Sequence, residues 1–177
     1  SIAVTTTYYV ETADGTCTST RSAVVATVNT APSVTATTPA AICGTGTVTL
    51  GATASSGTLS WFAAAVGGTA LGTGTSFVTP TITATTTYYV EAADGACTSA
   101  RSAVIATINT IPSITSTTPA AICGTGTLTL GATASAGTLS WFAAPTGGVA
   151  LGTGTSYTTP SIAVTTTYYV ETADGTC

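Results

Sequence analysis

Residues 1–80 and 81–160 align without a gap and are identical at 62 of 80 positions, and residues 161–177 open a third copy. Self-similarity at a fixed period is the signature of a tandem array, so whatever one 80-residue unit folds into, the chain holds it more than once. At a lag of 160 the first 17 residues recur unchanged, whereas at a lag of 80 only 12 of 17 agree. That pattern favours a two-domain super-repeat and a chain cut from a longer array. Every copy is organised around Thr-Thr-Thr-Tyr-Tyr-Val-Glu-x-Ala-Asp-Gly-x-Cys, at residues 5–17, 85–97 and 165–177. This stretch carries all six acidic residues, six of the seven tyrosines and three of the five cysteines. Its chemistry is that of a strand, then an Asp-Gly turn, then a thiol.

The repeat frame need not be the domain frame. Asn29-Thr30-Ala31-Pro32 and Asn109-Thr110-Ile111-Pro112 lie between strand-like runs, and proline ends regular pairing there. Cuts at these points give the end of one domain (1–30), one complete domain (31–110), and one lacking its last strand (111–177). Within 31–110 the alternation predicts a strand over 33–37, a Pro-Ala-Ala-Ile-Cys-Gly connection, and a strand over 47–54 with Val48, Leu50 and Ala52 on one face. Strands over 58–63 (Leu59, Trp61 and Ala63 inward), 69–71 and 75–79 follow. The last two span 85–92 (Tyr88, Val90 and Ala92 inward) and 102–108 (Val104, Ala106 and Ile108 inward). About seven short strands separated by turns every 8–12 residues indicate an all-β sandwich, and no stretch has helical period.

Composition narrows the functional classes. Charged residues are 5% of the chain, against roughly 25% in an ordinary soluble domain. Threonine hydroxyls, about a quarter of the residues, must supply the polar surface. Recurrent Val, Ile, Thr, Tyr and Trp separate the chain from disordered low-complexity sequence. Two arginines and a net charge of −4 exclude an electrostatic footprint for nucleic acid. The mean hydropathy of +0.51 comes from Ala, Val and Ile spread through strands, with no run of membrane-spanning length.

Cys-Gly-Thr-Gly-Thr-Val-Thr-Leu, Leu-Ser-Trp-Phe-Ala-Ala, Gly-Gly-Thr-Ala-Leu-Gly-Thr-Gly and Thr-Tyr-Tyr-Val-Glu-Ala together resemble the bacterial immunoglobulin-like repeats of giant surface proteins in Bacteroidota. The resemblance covers the whole chain. It implies tandem Ig-like sandwiches, secretion (commonly by the type IX route), extracellular display at the cell surface, and an adhesin, stalk or fibre role. Trp61 and Trp141 match the strand-C tryptophan of Ig-like folds, and Tyr88 and Tyr168 match a tyrosine corner. The pattern departs from antibody domains because no cysteine follows two residues after that tyrosine, which removes the disulfide across the core.

Cys17, Cys43, Cys97, Cys123 and Cys177 alternate at spacings of 26 and 54, with no CxxC and no histidine. A zinc site is therefore disfavoured, and in a secreted protein structural disulfides are the default. In an Ig sandwich the connection before strand B and the one after strand F lie at opposite poles. A strand of about eight residues separates them by roughly 26 Å, against the ~7 Å that a disulfide tolerates between Cα atoms. That argues for an inter-domain bond, Cys43–Cys177, repeated along the array with Cys17 paired outside the chain. The alternative is pairing within each domain, Cys43–Cys97 and Cys123–Cys177.

Nothing else carries chemistry. Glu91, Asp94 and Arg101, with Glu11, Asp14 and Arg21 before them, cluster around the turn between the last two strands. They lack the Asp-x-Asp-x-Asp ladder of a calcium loop, and a surface ion pair beside an Asp-Gly turn is the simpler reading. Without His or Lys no general base activates the many hydroxyls, so no catalytic residue, metal or cofactor is expected. Phe62, Tyr89, Phe142 and Tyr169 adjoin core aromatics and are expected to face outward, where they could pack on a neighbouring copy or stack on a sugar. The expected partners are neighbouring domains of the same chain and further copies in a fibre. A carbohydrate-binding module repeated for avidity, contacting surface glycans, is the alternative.

Overall fold

A computed structural model describes all 177 residues, Ser1–Cys177, and contains strands only. By contact the chain divides into two compact bodies. One comprises Ser1–Ala40, Val48–Thr79 and Thr86–Ala106; the other comprises Ala41–Thr47, Pro80–Thr85 and Thr107–Cys177.

The first 30 residues form a hairpin, β1 (Thr6–Val10) against β2 (Ser22–Ala26), in the register Thr6↔Ala26 to Val10↔Ser22. Its tyrosines and valines are exposed. Nine strands then build the first sandwich. They are β3 (Val34–Thr38), β4 (Ala40–Cys43), β5 (Thr49–Ala54), β6 (Thr58–Phe62), β7 (Gly72–Thr73), β8 (Ser76–Val78), β9 (Thr86–Asp94), β10 (Cys97–Thr98) and β11 (Ser102–Asn109). One sheet has the order β3-β5-β8. The other has the order β4-β11-β9-β6-β7, with β10 paired to β9.

Alternation along β5, β6, β9 and β11 places Leu50, Ala52, Leu59, Trp61, Tyr88, Val90, Ala92, Val104 and Ala106 in the core, leaving threonines outside. Three aromatic rings bridge the sheets. Trp61 stacks on Phe77 at 5.5 Å, and Phe77 meets Tyr88 edge-on at 5.4 Å. The Trp61 indole N–H donates to the Gly74 carbonyl at 2.9 Å, so the buried ring leaves no unpaired donor. Burial pushes the Tyr88 phenol above its ordinary pKa. Gly57 holds φ at +79°, and a Cβ there would run into the Ala93 carbonyl, so the β5–β6 turn requires glycine.

The second sandwich repeats the plan with fewer strands. Its elements are β12 (Ile114–Thr118), β13 (Thr129–Ala134), β14 (Thr138–Phe142), β15 (Gly152–Thr153), β16 (Ser156–Thr158) and β17 (Tyr169–Ala173), in sheets β12-β13-β16 and β15-β14-β17. Trp141 stacks on Tyr157 at 5.8 Å, Tyr157 meets Tyr168 at 5.4 Å, and Trp141 donates to Gly154 at 2.9 Å. Trp141, Leu139 and Ala132 are buried, but Leu130, Tyr168 and Val170 are only half-covered.

Several local expectations need correction. Pro-Ala-Ala-Ile-Cys-Gly contains a strand, β4, because its partner β11 runs one residue beyond the alternating pattern. The short strand expected over 69–71 falls instead on Gly72–Thr73, which lie opposite Trp61 and Ser60 of β6. Ala63 is exposed, whereas Phe62, expected to face outward, is buried. The thiol after the Asp-Gly turn is part of a tight hairpin, with Cys97 opposite Asp94.

The cross-sheet stack yields a stability prediction. Trp61→Ala removes the largest fully buried side chain and should cost about 3–5 kcal/mol, whereas Trp61→Phe should cost less because stacking on Phe77 survives. Denaturant unfolding followed by circular dichroism measures both.

Candidate functional site: a disulfide and an arginine clamp

Cys43, the last residue of β4, is disulfide-bonded to Cys177 across a sequence separation of 134, with Cα atoms 5.8 Å apart. Both cysteines belong to the second compact body, as does the 41–47 segment as a whole. The Gly44 N–H donates to the Asn109 carbonyl at 2.9 Å, and a Cβ at Gly44 would meet Ile111 Cδ1 at 3.0 Å. The other half of the bond is shaped by Asp174. Its Oδ1 accepts from the backbone N–H groups of Thr176 and Cys177 at 2.9 and 2.7 Å and from the Thr176 hydroxyl at 2.7 Å. These donors, Cys177 first, hold the Asp174 carboxyl below the ordinary 3.8. Asp14 is held low in the same way by Cys17 and Thr16. The Asp-Gly-Thr-Cys turn thus presents its thiol in one conformation, which is what a crosslinking residue needs.

Cys97 and Cys123, the partners required for the alternative intra-domain pairing, are free, and so is Cys17. In the chain-entropy picture a bond closing so long a loop stabilises by about 5 kcal/mol, comparable with the whole stability of a small domain.

A second cluster centres on Arg101, just ahead of β11. Its Nε donates to Glu91 Oε2 at 2.9 Å, and its Nη1 donates to the carbonyls of Ala64 and Gly67 at 2.6 and 2.7 Å. The guanidinium lies 3.4 Å over the Phe62 ring. Phe62 is therefore not a free aromatic platform, because the cation covers the face a sugar would need. The Arg101–Glu91 pair is largely shielded, with side chains 11% and 23% exposed; the equivalent Arg21–Glu11 pair, 67% and 40% exposed, stands in solvent. In the second sandwich no arginine occupies this place. Phe142, Ala144, Gly147, Tyr169 and Glu171 instead line a cavity of about 220 Å³. The sequence showed the Glu–Arg pairing but not the clamp, because the carbonyls it grips lie 34 and 37 residues away. No group of three or more His, Cys, Asp or Glu side chains is gathered anywhere.

Two outcomes follow. Arg101→Ala should cost about 2 kcal/mol by uncovering Phe62 and orphaning Glu91, whereas Arg21→Ala should change stability by at most ~0.5 kcal/mol; thermal denaturation of the two variants tests the contrast. Because the Asp174 carboxyl is depressed, its support of the terminal turn is present above pH 3.8 and is lost as pH falls through its lower folded value. The protection of the Thr176 and Cys177 amides, measured relative to their intrinsic exchange rates, should fall in that acid window, and Asp174→Asn should abolish the pH dependence.

No curated protein matches the chain. A family model described as "Ig-like domain CHU_C associated" matches residues 30–109 and again residues 110–177. With two sandwiches, each built on a buried tryptophan, and two consecutive matches spanning most of the sequence, the chain belongs to this family of Ig-like domains.

Proposed function

We propose that the chain is a structural repeat segment of an extracellular filament or cell-surface adhesin stalk, in which Ig-like domains 31–110 and 111–177 stack head to tail. The observation that carries this reading is the Cys43–Cys177 bond, which closes 134 residues of sequence. Force applied along such a chain passes through the covalent link and not through the β-ladders inside the loop. Secretion supplies the oxidising environment in which disulfides persist. The Asp-Gly-x-Cys sequence recurs in every domain, with partners for the remaining cysteines in adjacent domains. The core aromatics Trp61, Trp141, Tyr88 and Tyr168 hold each domain rigid, while Tyr89 and Tyr169 remain available for lateral contact. The role is mechanical and involves no catalysis.

Electron microscopy of native material should show long thin filaments with a repeat of one or two domain lengths; dispersed short particles would overturn the reading. Single-molecule extension between the two ends supplies a mechanical test. Reduction should add about 450 Å of contour length, the extended reach of 134 residues, and Cys43→Ser should show that length without reductant.

A further inference from the structure

Cys43 lies in a segment pinned at three points, all of them within the second compact body. Gly46 exchanges two backbone hydrogen bonds with Ile82, donating at 3.1 Å and accepting at 2.8 Å. Ile42 folds back over Gly46, and a Cβ on that glycine would lie 2.6 Å from the Ile42 Cδ1. Both pins recur around Cys123, where Gly126 exchanges bonds with Ile162 and is covered by Ile122. The third pin comes from the linker. Gly44 donates its N–H to Asn109, the last residue of β11, and the Ile111 Cδ1 lies 3.0 Å from where a Gly44 Cβ would be. Gly44 also holds φ at +70°, so the contact uses both the freedom and the bareness of glycine.

The two linkers differ at this residue alone. Asn29-Thr30-Ala31-Pro32 and Asn109-Thr110-Ile111-Pro112 are otherwise identical. The contact on Gly44 is made by the far end of the isoleucine side chain, and alanine stops at Cβ, short of that reach. Ile111 is 58% exposed, so burial in a sandwich core does not account for it.

We propose that Ile111 is a latch: seated on Gly44, it fixes the 109–112 linker against the Cys43 segment and makes Ile111 a positioning residue for the Cys43–Cys177 bond. A linker with alanine at this place has no latch. The residue at this position therefore sets whether a joint of this family is stiff or compliant before any disulfide forms. The latch itself stands on Gly44, Asn109 and Ile111; only its effect on the disulfide rests on the stacking proposal.

The test uses the full 177-residue chain and two measurements. In the reduced chain, Ile111→Ala should lower the protection of the Gly44 amide by roughly tenfold, because the bond to Asn109 loses its cover. Ile111→Val should retain most of that protection. Unfolding of the sandwiches, followed by tryptophan fluorescence, should be unchanged in both variants. Gly44→Ala carries backbone strain that is the same in either background, so a double-mutant cycle on protection of the residue-44 amide isolates the contact. Its cost should be smaller when combined with Ile111→Ala. The second measurement is equilibration of Cys43 and Cys177 with glutathione, read by quantitative peptide mapping. There the two thiols lose two protons and two electrons in forming the S–S bond, and glutathione disulfide takes them up and leaves as two thiols. Ile111→Ala should make the bond about threefold or more easier to reduce. Unchanged Gly44 protection in Ile111→Ala, or effects of the two substitutions that simply multiply, overturns the latch. A wild-type chain that forms no Cys43–Cys177 bond in oxidising glutathione counts against head-to-tail stacking, and the Gly44 amide alone then upholds or overturns the latch.

Discussion

The β9–β11 ladder is the interaction on which the rest of each sandwich depends. β11 covers the open side of the core with Val104 and Ala106, gives β4 its partner, and brings Arg101 over Phe62. The second sandwich shows what happens where the chain supplies no such strand. Leu130 and Val170 lose full burial, residues 120–123 leave the sheet, and two cavities open where the valine face and the guanidinium would be. A single strand thus links the burial of the core, the pairing of β4 and the shielded Arg101–Glu91 ion pair.

The scarcity of charge has a structural counterpart. With two cations in 177 residues, the chain cannot protect its edges with lysine or build ion-pair networks. Polar satisfaction falls to hydroxyls. Thr35 bonds Thr53 across β3 and β5, Thr115 bonds Thr133 across β12 and β13, and Thr79 and Thr159 cap the backbones of Val48 and Leu128. Robustness then rests on two other devices, a bridging aromatic stack in each core and a covalent bond between distant parts of the sequence. Neither device depends on surface charge, so neither is weakened by salt.

Much of this was legible before any coordinates. Period-2 alternation identified the inward faces of β5, β9 and most of β11, because a strand buried on one face leaves that trace directly. Trp61 and Trp141 were recognisable as core anchors from the strands that carry them. The errors cluster where the decisive partner is remote. β4 looked like a connection because four residues of Ala-Ala-Ile-Cys have no alternation and pair only with a strand 60 residues later. Phe62 looked like a surface platform because alternation sends it outward, and only the folded chain delivers Arg101 to cover it. The terminal turns behave differently. In both of them Asp-Gly-Thr-Cys closes on itself through the Asp carboxylate, so their conformation was written locally.

The three copies of Thr-Thr-Thr-Tyr-Tyr-Val separate the two kinds of information. The sequence by itself determined that this segment is strand-forming, that Tyr and Val alternate across it, and that a turn and a thiol follow, because those preferences act between neighbours in the chain. Only the tertiary structure decided what became of each copy. Residues 6–10 are an exposed hairpin strand, residues 86–94 a buried central strand, and residues 166–168 lie outside the sheet altogether. The residues are the same in all three. What differs is whether a partner lies alongside, and hydrogen bonding between strands is a property of the pair.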